Sequence, residues 1–221
     1  MRIAVLGASG MAGSAITEEA VARGHDVLAV ARTLRESASA SASASASASV
    51  ASHAIDVTDT AALIEVISPA DAVVLAVRPP QGQEHEIARM TKSALDAASS
   101  AAAPLVVIGG AGALWSPNLP DTRVLDDPSF VPPEWRAVAS ASADQLLECE
   151  AHPYRGWTYV SPPAIFRTGR RSGRYVRGGT TLLVDANGES VISSADLAIA
   201  VLDEIERPGT DRHFTVASNG S

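Results

Sequence analysis

The 221-residue chain is 46% hydrophobic and 19% charged, the proportions of an ordinary folded domain and not of a disordered, fibrous or membrane-spanning chain. Its formal charge of −8 denies it the broad positive field that gathers nucleic acid, so neither a nucleic-acid nor a membrane partner is expected. Cys149 is the only cysteine, and His25, His53, His85, His152 and His213 lack metal-ligand spacing with it, so no intrachain disulfide and no metal is expected. Apolar runs such as residues 72–77 are too short to cross a bilayer. Residue 1 leads straight into a structural pattern without a charged leader, and a cytoplasmic location is the resulting expectation.

Residues 2–6 form a short apolar run ending in glycine, and residues 11–23 carry Ala12, Ala15, Ile16 and Ala20 at helical spacing before Gly24. With residues 26–30 as the next strand, the first thirty residues read as a βαβ unit with a right-handed crossover. A third strand is predicted over 53–57, a helix over 60–67, and a strand over 71–77 whose unbroken apolar character suits a sheet covered on both faces. Ile87, Met90, Ala94, Leu95 and Ala98 mark the inward stripe of the next helix, and 105–108 the fifth strand. A helix over 134–150, a strand over 157–160, a hairpin around Gly178 and Gly179, a helix over 195–205 and a strand over 214–216 complete the pattern. Alternating strands and helices with short connections predict an α/β fold, a doubly wound parallel sheet of Rossmann type, as one domain over residues 1–221.

Two segments break this rhythm. Residues 37–49 alternate Ser and Ala and offer only methyl groups for burial, so they read as a low-complexity connector or a weak helix. Residues 112–133 are too long for a simple connection, which leaves a loop covering a ligand or a packed Ω-loop as the two readings.

Gly7, Gly10 and Gly13 follow the first strand and open the first helix. A diphosphate needs backbone N–H groups, a helix N-terminus and no Cβ where the chain touches it, and glycines at this turn provide all three. A carboxylate at the end of the second strand would bind the ribose hydroxyls of NAD; here stand Val30, Ala31 and Arg32, with Arg35 nearby. A guanidinium there forks onto a phosphate monoester, so NADPH is favoured over NADH, unless Arg32 is simply a solvated loop residue. Asp56 is a candidate acceptor for the adenine amino group, or a capping residue, a role that Thr58 or Asp59 fits better.

These glycines, Arg32, the Asp56-Val57-Thr58-Asp59 run, residues 71–74, the 107–112 strand end with Leu114 and Trp115, and the 157–163 segment resemble the atypical, extended-like short-chain dehydrogenase/reductases, in particular the NADH-flavin reductase and biliverdin reductase B-like group. The likeness continues through residues 173–175, 185–188, 192–197 and 214–216, covering nearly all the chain outside 37–49. What the resemblance implies is a Rossmann domain with a small C-terminal substrate-side elaboration, NADPH across the strand ends, and hydride delivery to a flavin or similar planar acceptor. The expected cofactor contacts are Gly7, Ser9, Gly10, Met11 and Gly13 in the first loop, with Arg32, Asp56 and Val57 at the next two strand ends. Ala76, Val77 and Arg78, Gly109 and Gly110, and Ser161, Pro162 and Pro163 complete that set, the last three beside the nicotinamide carboxamide. Gly112, Trp115 and Phe166 are the expected substrate pocket, and Trp135 and Phe130 are further candidate walls, although large aromatics are mostly core.

The sequence departs from the wider superfamily in its acid-base residues. A Tyr-x-x-x-Lys pair is impossible, because Lys92 is the only lysine and Ala88 stands four residues before it. The serine and histidine linked to the substrate site in biliverdin reductase B-like members are matched by Gly110 and Ala164. A flavin acceptor is compatible with this, since it takes hydride directly and needs no tyrosine acid. Arg167, Arg170, Arg171, Arg174 and Arg177 form a basic cluster, read as a solvated face or an anion site. Ser193 with Asp196 reads as a cap for the last helix, and Cys149 and His152 as structural. The expected function is therefore an NAD(P)H-dependent reductase, acting as a monomer or homodimer on a small planar acceptor. A non-catalytic dinucleotide sensor and a secondary-metabolism reductase or isomerase acting on an aromatic substrate stay open beside it.

Overall fold

In the computed structural model, which describes residues 1–33 and 48–219, the strands β1 (Arg2–Leu6), β2 (Asp26–Ala31), β3 (Val50–Ala54), β4 (Ala72–Leu75), β5 (Leu105–Ile108) and β6 (Trp157–Ser161) are joined by β10 (His213–Ser218) and β8 (Tyr175–Gly178) in one sheet. The order is β3-β2-β1-β4-β5-β6-β10-β8, parallel throughout except for β8, which runs antiparallel to β10 at the edge. β7 (Ile165–Arg167) and β9 (Val191–Ser193) pair separately as a short parallel ribbon. The architecture is the doubly wound α/β sheet that the sequence predicts.

Successive side chains of a strand point to opposite faces, so each buried strand must be apolar at every position. In β1, Ala4 and Leu6 join a core with α2 (Thr60–Ile67), α3 (Glu86–Ala101) and α4 (Arg136–Ala151), while Ile3 and Val5 join a second core under α1 (Met11–Ala22) and α5 (Ser194–Glu206). The split repeats in β4, where Val73 and Leu75 take the first side and Ala72 and Val74 the second. α1 is tied to α5 by Arg23, which donates to Glu19 at 2.9 Å and to Asp203 and Glu206 at 2.8 Å each. Arg171 adds a second guanidinium on Glu19, and with Arg23 holds that buried carboxyl below its ordinary range. The carboxyl end of α1 is thereby fixed against α5.

Several boundaries differ from expectation. β3 covers Val50–Ala54, not 53–57, because Asp56 turns the chain: its carboxylate accepts the N–H and hydroxyl of Thr58 at 2.9 and 2.8 Å. No hairpin forms around Gly178 and Gly179. β8 pairs instead with β10, and the chain beyond Gly179 crosses to residue 115, where the Trp115 N–H donates to the Thr180 carbonyl at 2.8 Å and the Leu182 N–H to the Trp115 carbonyl at 2.9 Å. The helix predicted from residue 134 starts as a 3-10 turn over Pro133–Trp135 and becomes α4 at Arg136. The Ser/Ala tract 37–49 lies outside the described residues except for its last two, of which Ser49 donates through N–H and hydroxyl to Asp26 at 2.9 and 2.6 Å. Ser193 caps α5, accepting the Asp196 N–H at 3.0 Å. Among the described residues no helix is long and apolar enough to cross a membrane.

Candidate dinucleotide site at the carboxyl ends of the strands

The strand order reverses direction between β1 and β4, and the connections leaving these two strands diverge to opposite faces, opening a crevice at their carboxyl ends. The turn from β1 into α1 lies against this crevice. The Gly7 and Ala8 N–H groups both donate to the Val30 carbonyl at 2.8 and 3.1 Å, and the Gly10 N–H returns to the Gly7 carbonyl at 2.9 Å. Gly7 has φ +90°, and a Cβ there would collide with the Ala76 carbonyl beyond β4. Gly13 is buried under the same turn, where a Cβ would strike the Gly7 carbonyl, so this third glycine serves the packing of the loop itself. Gly10 stands at the N-cap of α1 without a side chain to cap it, and no acidic residue occupies the first turn. The helix N-terminus therefore presents its N–H groups and positive dipole end beside the exposed Ser9, Gly10 and Met11, an arrangement that suits a diphosphate.

At the neighbouring strand ends, Arg32 is exposed one residue past β2. Asp56 uses one carboxylate oxygen, Oδ1, for Thr58, whose backbone and side-chain hydrogen bonds hold the acid below its ordinary range with Arg32 adding charge. Asp59 is the residue that caps α2, accepting the Ala62 N–H at 3.1 Å, and Val57 is buried in the α2/α3/α4-side core. Past β4, Ala76 and Val77 are half-buried and Arg78 is exposed.

The glycines after β5, expected at the cofactor (Gly109, Gly110) and in the substrate pocket (Gly112), have close partners inside the protein. A Cβ on Gly109 would collide with the Tyr159 ring, one on Gly110 with the Ser142 side chain, and one on Gly112 with the Ala139 carbonyl of α4. Their missing side chains let α4 and Tyr159 dock on the strand end, and Gly112 is buried there instead of lining a pocket.

Residues 112–133 form a stitched loop. The Ser116 hydroxyl donates to the buried Asp127 carboxylate at 2.6 Å and accepts the N–H groups of Asn118 and Leu119 at 3.0 and 3.1 Å, while the Val124 N–H donates to the Leu114 carbonyl at 2.9 Å. The loop is packed by its own side chains.

Trp115 and Phe166 are not brought together. Trp115 is half-exposed with the Arg123 guanidinium 3.6 Å from its ring centroid, and Arg123 is itself fixed by donating to the Ala113 carbonyl at 2.6 Å. Phe166 packs on the α1/α5 side. Trp135, at the start of α4, is 51% exposed, with the Arg78 guanidinium 5.6 Å from its ring.

At the end of β6, Ser161, Pro162 and Pro163 are buried, and the Ser161 hydroxyl shares a 2.9 Å hydrogen bond with His213 Nε2. Burial lowers the His213 pKa to about 4, so the ring is neutral at pH 7, and its tautomer sets which partner donates in the bond to Ser161. Sequence reading gives no hint of this pair, because 52 residues separate its members and only the register of β10 on β6 joins them. The three tyrosines are spent elsewhere: Tyr154 donates to the Ala103 carbonyl at 2.7 Å, Tyr159 to the Ser142 carbonyl at 2.7 Å, and Tyr175 to Asp203 at 2.9 Å. Lys92 lies on the surface of α3, paired with Asp96 at 2.7 Å.

A glycine cradle at a switch point, an uncapped helix N-terminus and a doubly wound sheet define a dinucleotide-binding Rossmann protein. The chain belongs to the NAD(P)H-binding family, whose profile matches residues 7–208. It is 40% identical to the Bacillus subtilis (strain 168) protein YwnB over 223 residues, 99% of each chain. Among solved structures it is similar to a candidate NADH-flavin reductase from Streptococcus pneumoniae TIGR4, with TM-score 0.80, 29% identity and coverage of 99% of this chain and 100% of that one. A candidate epimerase from Bacteroides thetaiotaomicron matches with TM-score 0.83 and 30% identity over 100% of this chain and 98% of that one. These likenesses agree with the atypical short-chain dehydrogenase/reductase resemblance, and a nicotinamide dinucleotide is the cofactor that the cradle fits.

Gly7→Ala tests the cradle, since it adds a methyl group at positive φ against a carbonyl. The variant is expected to lose about 1–3 kcal/mol of stability and most of its dinucleotide affinity, read by thermal melting and calorimetric titration. Wild-type affinity in a folded Gly7→Ala protein would contradict the assignment.

Proposed function

We propose that this chain is an NADPH-dependent reductase that passes a hydride to a flat acceptor, with a flavin as the favoured acceptor class. The observation that carries the reading is the Gly7 cradle beside the uncapped α1 terminus, at a strand edge where no tyrosine or lysine stands ready as an acid. The similarity to a candidate NADH-flavin reductase supports the choice of acceptor.

The chain's residues then divide the work. N–H groups of Ser9 and Met11 hold the diphosphate, Gly10, whose own N–H stays on the Gly7 carbonyl, leaves it room, and Arg32 takes the 2′-phosphate by a charge-assisted fork. Asp56 leaves Oδ2 to accept from the adenine amino group while Oδ1 stays on Thr58. Ser161, oriented by neutral His213, and the two prolines behind it close the carboxamide end. The bound dinucleotide supplies the hydride. A flavin accepting it at N5 gains its balancing proton from water, so the protein contributes proximity and orientation in place of a general acid.

Purified protein mixed with NADPH and FMN, FAD or riboflavin is expected to oxidise the nucleotide at a rate proportional to protein concentration. A rate equal to the protein-free control, with dinucleotide binding demonstrated under the same conditions, would overturn the reductase reading in favour of a dinucleotide-responsive regulator. Arg32→Ala is expected to weaken NADPH binding about ten-fold or more and to leave NADH binding nearly unchanged, measured by titration. An equal loss for both nucleotides would refute the phosphate contact.

A further inference from the structure

Trp135 is the most exposed of the three tryptophans, and it is held in place. Pro132 and Pro133 set the 3-10 turn, the Trp135 N–H donates to the Pro132 carbonyl at 2.9 Å, and α4 begins at the next residue. A large aromatic ring that a rigid turn holds open to water, with a cation beside it, offers a preformed face for stacking.

Its cationic neighbour is Arg78, whose guanidinium stands 5.6 Å from the ring centroid. This residue comes two positions after Ala76, whose carbonyl presses on Gly7, so the Trp135 face lies within one arginine's reach of the dinucleotide cradle. Among the described residues no carboxylate forms an ion pair with Arg78. Glu84, whose charge senses Arg78, is turned to the Gly82 N–H at 3.0 Å, and Arg136 beside Trp135 is paired with Asp126. A free cation in a chain of net charge −8 is thus poised over an open indole.

The contrast with Trp115 decides which tryptophan receives a ligand. Arg123 sits 3.6 Å from the Trp115 centroid and is locked to the Ala113 carbonyl, so that ring face is occupied. Arg78 stands off at 5.6 Å with no such lock, leaving its guanidinium free to swing to an anion.

The geometry points to Trp135 and Arg78 as the acceptor subsite, selecting flat aromatic molecules that carry an anionic group: the ring stacks on Trp135 and Arg78 takes the phosphate or carboxylate. This rests on the reductase reading for its place beside the cofactor and adds the charge and the wall of the substrate. It assigns Arg78 to the acceptor instead of to the dinucleotide.

The test is equilibrium binding at saturating NADP+, verified for each variant, with FMN against riboflavin, which share a ring and differ by the phosphate. Naphthalene-2-carboxylate against its neutral carboxamide is a second pair that needs no redox chemistry. Wild-type protein is expected to prefer the anion of each pair about ten-fold. Arg78→Ala erases that preference and leaves the neutral partner's affinity in place, while Trp135→Ala weakens both partners and Trp135→Phe restores most of the loss. No preference in the wild type, an intact preference in Arg78→Ala, or no binding of any of the four probes overturns the proposal. Failure of NADPH to reduce FMN with the Arg78-dependent preference intact instead removes the flavin reading and leaves this subsite standing.

Discussion

The contact between the Gly7 backbone and the Ala76 carbonyl governs the rest of the structure. β1 and β4 are neighbours whose connections depart to opposite faces, and at the point of divergence there is no room for a side chain. Gly7 at φ +90° lets the first turn fold into that gap, Gly13 lets α1 start directly beneath it, and Gly10 ends the turn without covering the helix N–H groups. Everything assigned to the dinucleotide follows from this placement.

The two cores keep the turn where it is. Alternate residues of β1 and β4 enter opposite layers, so a shift of either strand by one residue would exchange the contents of both cores. The Arg23 ties between α1 and α5 fix the helix whose N-terminus faces the crevice. On the far side, Tyr159 and α4 fill the space that three glycines after β5 leave open, which sets the position of Trp135 at the start of α4. Substrate-side and cofactor-side features are therefore linked through one rigid sheet edge.

Much of this was legible in the sequence, and the exceptions have physical causes. β1, α2 and β5 match their predicted bounds because an apolar run between clear stop signals has one reading. The first glycine turn was legible because a strand on one side and a helix on the other restrict what glycine can be for. The later glycines were not, since a missing Cβ announces close approach without naming the partner: at 109–112 the partner is the protein's own α4 and Tyr159. β3 slipped by three residues because Asp56 and Thr58 compete for the backbone that a strand would use. The β7 and β9 ribbon and the Ser161–His213 pair depend on contacts between segments distant in the chain, where local pattern carries no signal. Trp115 drew attention by its place after β5, yet Arg123, eight residues on, covers it; exposure of Trp135 follows from proline geometry that only the folded turn reveals.

Backbone amide shifts during titration with NADP+ test the central claim most directly. Saturation is predicted to move the amides of Ser9, Gly10 and Met11 most strongly, accompanied by Arg32, Ala76 and Val77. Saturable binding that shifts other amides while leaving residues 9–11 unmoved would contradict the claim that this turn holds the diphosphate.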